Sequence, residues 1–120
     1  MSMRQYVVTY DVGTSGVKTC IYAIDESITL IASDMEGYSL TILDGGGAEQ
    51  EPTDWWQAMC RTTRKLLQSH DIAAEQISGI SFCAQMQGLV LVDKKGHPLR
   101  RAMSYMDSRA VREHREGLAH

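Results

Sequence analysis

The sequence predicts an α/β fold in which an antiparallel three-strand meander is followed by crossover helices that return the chain to a mixed sheet. Three observations point to it. Residues 5–37 hold three β-rich runs separated by short turns, residues 52–70 carry an apolar stripe at helical spacing, and residues 77–93 return to short apolar runs. At 120 residues the chain is long enough for one modest domain with its own core.

The elements follow in order. Residues 5–11 (QYVVTYD) combine β-branched and aromatic side chains in imperfect alternation and read as a strand. A turn at residues 13–16 leads to a second strand at 17–24 (VKTCIYAI), and residues 25–27 turn again. A third strand starts at Ile28 (ITLIASDMEGYSL), with a bend expected at Gly37. Residues 44–52 (DGGGAEQEP) read as a loop, since three consecutive glycines carry a high entropic cost in regular structure. Pro52 and Thr53 then signal a helix, with Thr53 as N-cap and Asp54 placed to favour the helix dipole. Trp55, Trp56, Met59, Cys60, Thr63, Leu66 and Leu67 share one face of it, and Arg61, Arg64, Lys65 and Gln68 the other. Its end is expected near His70. Residues 77–83 (ISGISFC) read as a buried strand and 88–93 (GLVLVD) as another, with a turn at 94–96. A last, polar helix is expected to begin near Asp107 or Ser108, with His114 at a solvated end. A meander, a crossover helix and a strand returning beside the first make the half-domain of the ribonuclease H-like, actin-like ATPase fold.

Composition narrows the function by exclusion. A net charge of −3 gives no field to attract nucleic acid or an anionic membrane surface. No apolar run approaches the roughly 18 residues of a membrane-spanning helix. The N-terminal MSMRQYVV lacks the apolar stretch of a signal peptide, and Cys20, Cys60 and Cys83 are scattered without a CxxC pair. Reduced thiols and a cytoplasmic location are the expectation.

The chemistry concentrates in YDVGTSGVK, residues 10–18. Gly13 and Gly16 allow close approach of the backbone to an anion, Thr14 and Ser15 add hydroxyl donors, and Lys18 adds positive charge. Asp11 would repel a bare phosphate, but it could hold the hydrated magnesium that accompanies a nucleotide. The same residues also suit a plain hairpin turn, and on composition alone that is the commoner meaning of such a cluster. Neither GxxxxGK[ST] nor GxGxxG is present.

Other segments change that weighting. DVGTSGVK, EQEPTDWW, QMQG followed by LVLVD, and YMDSRA occur in this order over most of the chain. Together they resemble the N-terminal part of the FGGY carbohydrate kinases, most closely the xylulokinase-like members. The resemblance implies that Asp11, Gly13, Thr14, Ser15 and Gly16 form an ATP phosphate loop, with Asp11 near Mg2+ and Lys18 at a basic position that meets nucleotide phosphate. It implies that Gln85, Met86 and Gln87 contact the sugar, and that Asp107 and Arg109 lie beside or just behind the sugar pocket. Two residues depart from the family pattern. Gln87 stands where histidine is usual, and Tyr105 where tryptophan is usual. An amide can donate and accept hydrogen bonds to sugar hydroxyls but cannot carry a proton near neutral pH. Trp55 and Trp56 also match the family, and they read as core and lid of the helix.

The resemblance implies ATP-dependent phosphorylation of a sugar hydroxyl, with a ketopentose such as xylulose as acceptor. Family members are several times longer and carry their general base downstream, so residues 1–120 are expected to be the opening part of the first actin-like domain, inactive alone. An apolar face left exposed would favour a homodimer. The alternative is a non-catalytic sugar-binding or regulatory module. A ribonuclease H-like nuclease fits less well, because residues 77–85 bring no carboxylate for a second metal.

Overall fold

The computed structural model describes residues 3–117, which form two compact units. The first contains residues up to Tyr38 together with Thr53–Gln85; the second contains Ser39–Pro52 and the chain from Met86 onward.

In the first unit, β1 (Gln5–Val12), β2 (Gly16–Ile24) and β3 (Ile28–Gly37) make the expected antiparallel meander. The third strand stops at Gly37 instead of bending there. Helix α1 (Pro52–Ser69) supplies the crossover that lets β6 (Ile77–Ala84) return parallel to β1. The strand order β3-β2-β1-β6 is therefore a mixed sheet, the half-domain arrangement of the actin-like ATPase fold. Alternate residues of β1 and β2 face the helix, and Val8, Tyr10, Val17 and Ile21 pack there with Ala58 and Leu66. Two hydroxyl pairs are set into this contact: Thr19 Oγ1 lies 2.7 Å from Thr62 Oγ1, and Tyr10 OH lies 2.6 Å from Thr63 Oγ1. The Thr62 hydroxyl also donates to the Ala58 carbonyl at 2.8 Å, so this buried pair is satisfied.

Three details of this unit differ from expectation. The helix begins at Pro52, not after a Thr53 cap, because proline's missing N–H and fixed φ suit the first helical position. Its buried line runs through Ala58, Thr62 and Leu66, which places Trp56 on the outside, 66% exposed. Strand β6 lies at the sheet edge, with Ile80 and Phe82 largely exposed, where a buried strand was expected. An apolar run is compatible with either place, and only pairing decides between them.

The second unit departs further. The expected loop at 44–52 is a hairpin of β4 (Thr41–Leu43) and β5 (Gly47–Gln50), with β7 (Ala102–Met103) antiparallel to β5 on its other side. Gly45 and Gly46 take φ of 81° and 91°, the left-handed backbone a tight turn needs. Gly47 is free to begin a strand whose four residues are all buried. Residues 88–93 form no regular strand; they are extended, with isolated bridges Leu89–Met103 and Val92–Pro98 closed over the turn at 94–96. Helix α2 (Val111–Gly117) starts later than expected. Asp107 and Ser108 instead form the approach to it, where the Ser108 N–H donates to the Gly46 carbonyl at 2.9 Å. No described helix is long and apolar enough to cross a membrane.

Candidate functional site

The loop between β1 and β2 is held by its own backbone and by Tyr38. The Gly13 N–H donates to the Gly16 carbonyl at 3.0 Å, and the Tyr38 N–H to the Ser15 carbonyl at 3.2 Å. The Tyr38 hydroxyl donates to the Gly13 carbonyl. Gly16 has a packing reason to be glycine, since a Cβ there would stand 2.5 Å from the Glu36 carbonyl oxygen. Ser15 is exposed at the loop tip, beside the half-buried Gly13 and Thr14.

Asp11 and Lys18 face each other across the β1–β2 ladder, and Asp11 also pairs with Cys83 of β6. All three line an open cleft of about 390 Å³ with Thr9, Cys20 and Ser81. Among the described residues neither Asp11 nor Lys18 enters an ion pair. The Asp11 charge is felt by its neighbours. Burial, followed by the Asp11 charge, pushes the Tyr38 phenol up to about 12. Burial and a hydrogen bond to Asp11 raise the Cys83 thiol. Among the described residues no three of His, Cys, Asp and Glu converge as a metal cluster. Asp11 is thus a single carboxylate, a donor set that suits a cation supplied with its own waters and phosphates. Gln85 follows β6, and its N–H donates to the Val12 carbonyl at 2.9 Å.

The second unit holds the remaining candidates. Gln87, Tyr105, Asp107, His114 and Arg115 line a cavity of about 540 Å³. Gln87 sits at φ 61°, a left-handed conformation uncommon outside glycine. Met86 is 77% exposed and is not among the lining residues. Asp107 is fully engaged. Its carboxylate accepts from the Ala48 N–H at 2.8 Å, from the Arg109 N–H at 3.1 Å and from Arg109 Nη2 at 2.6 Å. Arg109 stands outside the cavity lining and also donates to Glu49 Oε2 at 2.7 Å, where Arg100 Nη2 joins it. The Arg109 side chain, followed by the Ala48 N–H, holds the Asp107 carboxyl well below the usual carboxylate range. Arg109, then Arg100, lowers Glu49 likewise, and the Arg109 guanidinium is raised in return. This network fastens the hairpin of β4 and β5 to the segment around 100–109.

The family model for the N-terminal domain of the FGGY family of carbohydrate kinases matches residues 6–117. The chain belongs to that family. A xylulose kinase from Staphylococcus epidermidis is 37% identical over 107 residues, a match covering 89% of this chain and 21% of that protein. A gluconokinase from Bacillus licheniformis is 31% identical over 118 residues, covering 98% of this chain and 21% of its own length. The crystal structure of a xyloylose kinase from Brucella ovis superimposes with a TM-score of 0.86 at 30% identity, over 96% of this chain and 24% of that one. The chain thus spans about a fifth of the length of the curated relatives it matches.

Within this FGGY chain, the candidate residues divide by unit. Asp11, Gly13, Thr14, Ser15, Gly16, Lys18 and Gln85 belong to the first, and Met86, Gln87, Asp107 and Arg109 to the second. Gln87 and Asp107 meet at one cavity. Glu49, Arg100, Tyr38 and Arg115 were not singled out from sequence. Glu49 sits in a stretch whose composition signals a loop, and the arginines that engage it lie 51 and 60 residues further along.

Proposed function

We propose that this chain carries the ATP phosphate loop and part of the sugar site of a cytoplasmic kinase that phosphorylates a sugar hydroxyl, with a ketopentose such as xylulose as the first acceptor to try. On this reading residues 1–120 are the N-terminal part of the first actin-like domain of a longer enzyme, and the general base lies outside them. The observation that carries the reading is the cleft beside the β1–β2 loop: an exposed Asp11 and Lys18 without ion pairs, next to a turn closed by its own carbonyls.

Each residue then has a task. Tyr38 and the Gly13–Gly16 hydrogen bond hold the loop in shape, so that its N–H groups and the Ser15 hydroxyl meet phosphate without reorganisation. Lys18 adds positive charge toward the phosphates, and Asp11 would hold Mg2+. The metal, when bound, neutralises charge on the transferring phosphoryl group. Gln85, Met86 and Gln87 bind and orient the sugar, while Asp107 and Arg109 act one step back, keeping the hairpin in place. Asp11→Asn in the intact enzyme is expected to lower turnover by about a hundredfold or more, the loss of a charge-stabilising group in the transition state, with sugar affinity little changed. Steady-state kinetics with sugar-binding titration checks this, and an unaltered turnover would remove Asp11 from the role. Saturable sugar binding with no ADP formed by the intact protein would favour the non-catalytic binding module.

A further inference from the structure

Asp11 and Lys18 carry opposite charges, are both exposed, and stand directly opposite each other in the antiparallel ladder of β1 and β2. Cross-strand neighbours of opposite sign ordinarily attract. Surface charges do pair elsewhere in this unit, Arg61 with Glu36 at 2.9 Å and Lys65 with Asp34 at 3.3 Å. Among the described residues Asp11 and Lys18 nevertheless form no ion pair.

The second neighbour of Asp11 supplies a reason. Strand β1 is central in the sheet, so Asp11 has a partner on each side, and on the β6 side that partner is Cys83. Residues directly opposite in a sheet point to one face, and Cys83 lines the same cleft as Asp11 and Lys18. Thr9 and Ser81, which also line it, pair with each other two residues earlier, about 7 Å along the strands. A thiol is a weak donor, but a hydrogen bond to a carboxylate is strengthened by the charge. Burial, followed by the contact with Asp11, raises the Cys83 thiol above its ordinary value, so the donated proton is retained.

We propose that Cys83 is a positioning residue: its thiol donates to the Asp11 carboxylate and holds it toward β6, apart from Lys18, so that the carboxylate stays available to a divalent cation and the ammonium group to phosphate. The inference rests on the sugar-kinase reading and adds to it a residue that acts only through Asp11. Without the thiol, Asp11 turns to Lys18 and the two charges cancel in the cleft that has to receive a magnesium nucleotide.

The probe is ADP, titrated calorimetrically into the intact enzyme with Mg2+ and, separately, with a chelator. Mg2+ is expected to tighten ADP binding to the wild type. Cys83→Ala should reduce that gain about tenfold, as loss of an outer partner of a metal ligand does. Binding of metal-free ADP should change little, because the lost attraction of Lys18 and the lost repulsion of Asp11 offset each other. Cys83→Ser, which keeps a donor at the same ladder position, should retain most of the gain. The inference is overturned by a full Mg2+ gain in Cys83→Ala, by an equal loss with and without the metal, by a serine variant as impaired as the alanine one, or by a wild type in which Mg2+ adds nothing. The kinase reading is judged separately, by sugar-dependent ADP formation. An enzyme that phosphorylates xylulose and binds Mg-ADP equally well in Cys83→Ala retains that reading and loses this one.

Discussion

In the first unit four strands of eight to ten residues and an 18-residue helix close over apolar side chains, whereas the second joins strands of two to four residues around buried charge. Val17 and Ile21 are fully buried in the one, and Glu49, 6% exposed, is enclosed by arginines in the other. The difference matters for function. On the proposed reading the phosphate loop needs a stiff support, and the β1–β2 turn hangs from the two central strands of a sheet. On the same reading the proposed sugar contacts of the second unit lie on short segments held by side chains, which can be altered without disturbing a core.

The contrast can be broken most strongly at Gly16. Gly16→Ala places a methyl group 2.5 Å from the Glu36 carbonyl oxygen, and the atoms it meets are all backbone of Glu36 and Gly37, which yield less readily than a side chain. A loss of about 2–3 kcal/mol is expected, typical of overpacking at a tight site, and urea unfolding measures it. A loss within experimental error would show that β3 can move away from the loop.

Next in size is Asp107→Asn, which should act on the second unit alone. Hydrogen exchange at the Ala48 amide, which donates to Asp107, is expected to accelerate at least about tenfold while amides of β1 and β2 keep their protection. Acid should do the same without mutation. Asp107 and Glu49 are both held below their ordinary values in the folded chain. Their contribution is therefore complete above the unfolded carboxyl range near pH 4 and is lost as pH falls through the lower folded values. Protection of the Ala48 amide, taken relative to its intrinsic exchange rate at each pH, should fall below about pH 4, ahead of protection in the sheet of the first unit. Simultaneous loss in both units would contradict the division.

The smallest expected effect sharpens the picture of the first unit. Thr62→Val removes the partner of Thr19 and leaves a buried hydroxyl unsatisfied, for a loss of about 1 kcal/mol. Thr19→Val combined with Thr62→Val should recover part of that loss, since both polar groups are then gone. A double variant as destabilised as the sum of the two single ones would show that the threonines do not act as a pair.

The same contrast explains what could be read in advance. Strands β1, β2 and β3 and helix α1 announce themselves through β-branched runs, turn residues and the Pro52 start, all local signals. The hairpin of β4 and β5 does not. Gly47, Ala48, Glu49 and Gln50 are poor strand formers, and their strand is made by Asp107, Arg109 and Arg100 reaching in from far along the chain. The exposure of β6 is hidden from the sequence for a related reason: the apolar Ile80 and Phe82 report a tendency to be covered, and only the sheet order shows an open edge. In the candidate site, Asp11 and Lys18 stood out through their crowding with glycines. Asp107 and Arg109 were reached through family resemblance, and the structure adds Glu49 and Arg100 as their companions.

The most direct test of the account is sugar-dependent ADP formation by the longest chain this gene encodes, measured with Mg-ATP across ketoses, polyols and sugar acids, xylulose included. The account predicts a sharp response to one sugar or a narrow set, lowered about a hundredfold or more in Asp11→Asn. A flat response from folded protein across the whole panel would contradict it and leave the glycine-rich turn as a plain connection between two strands.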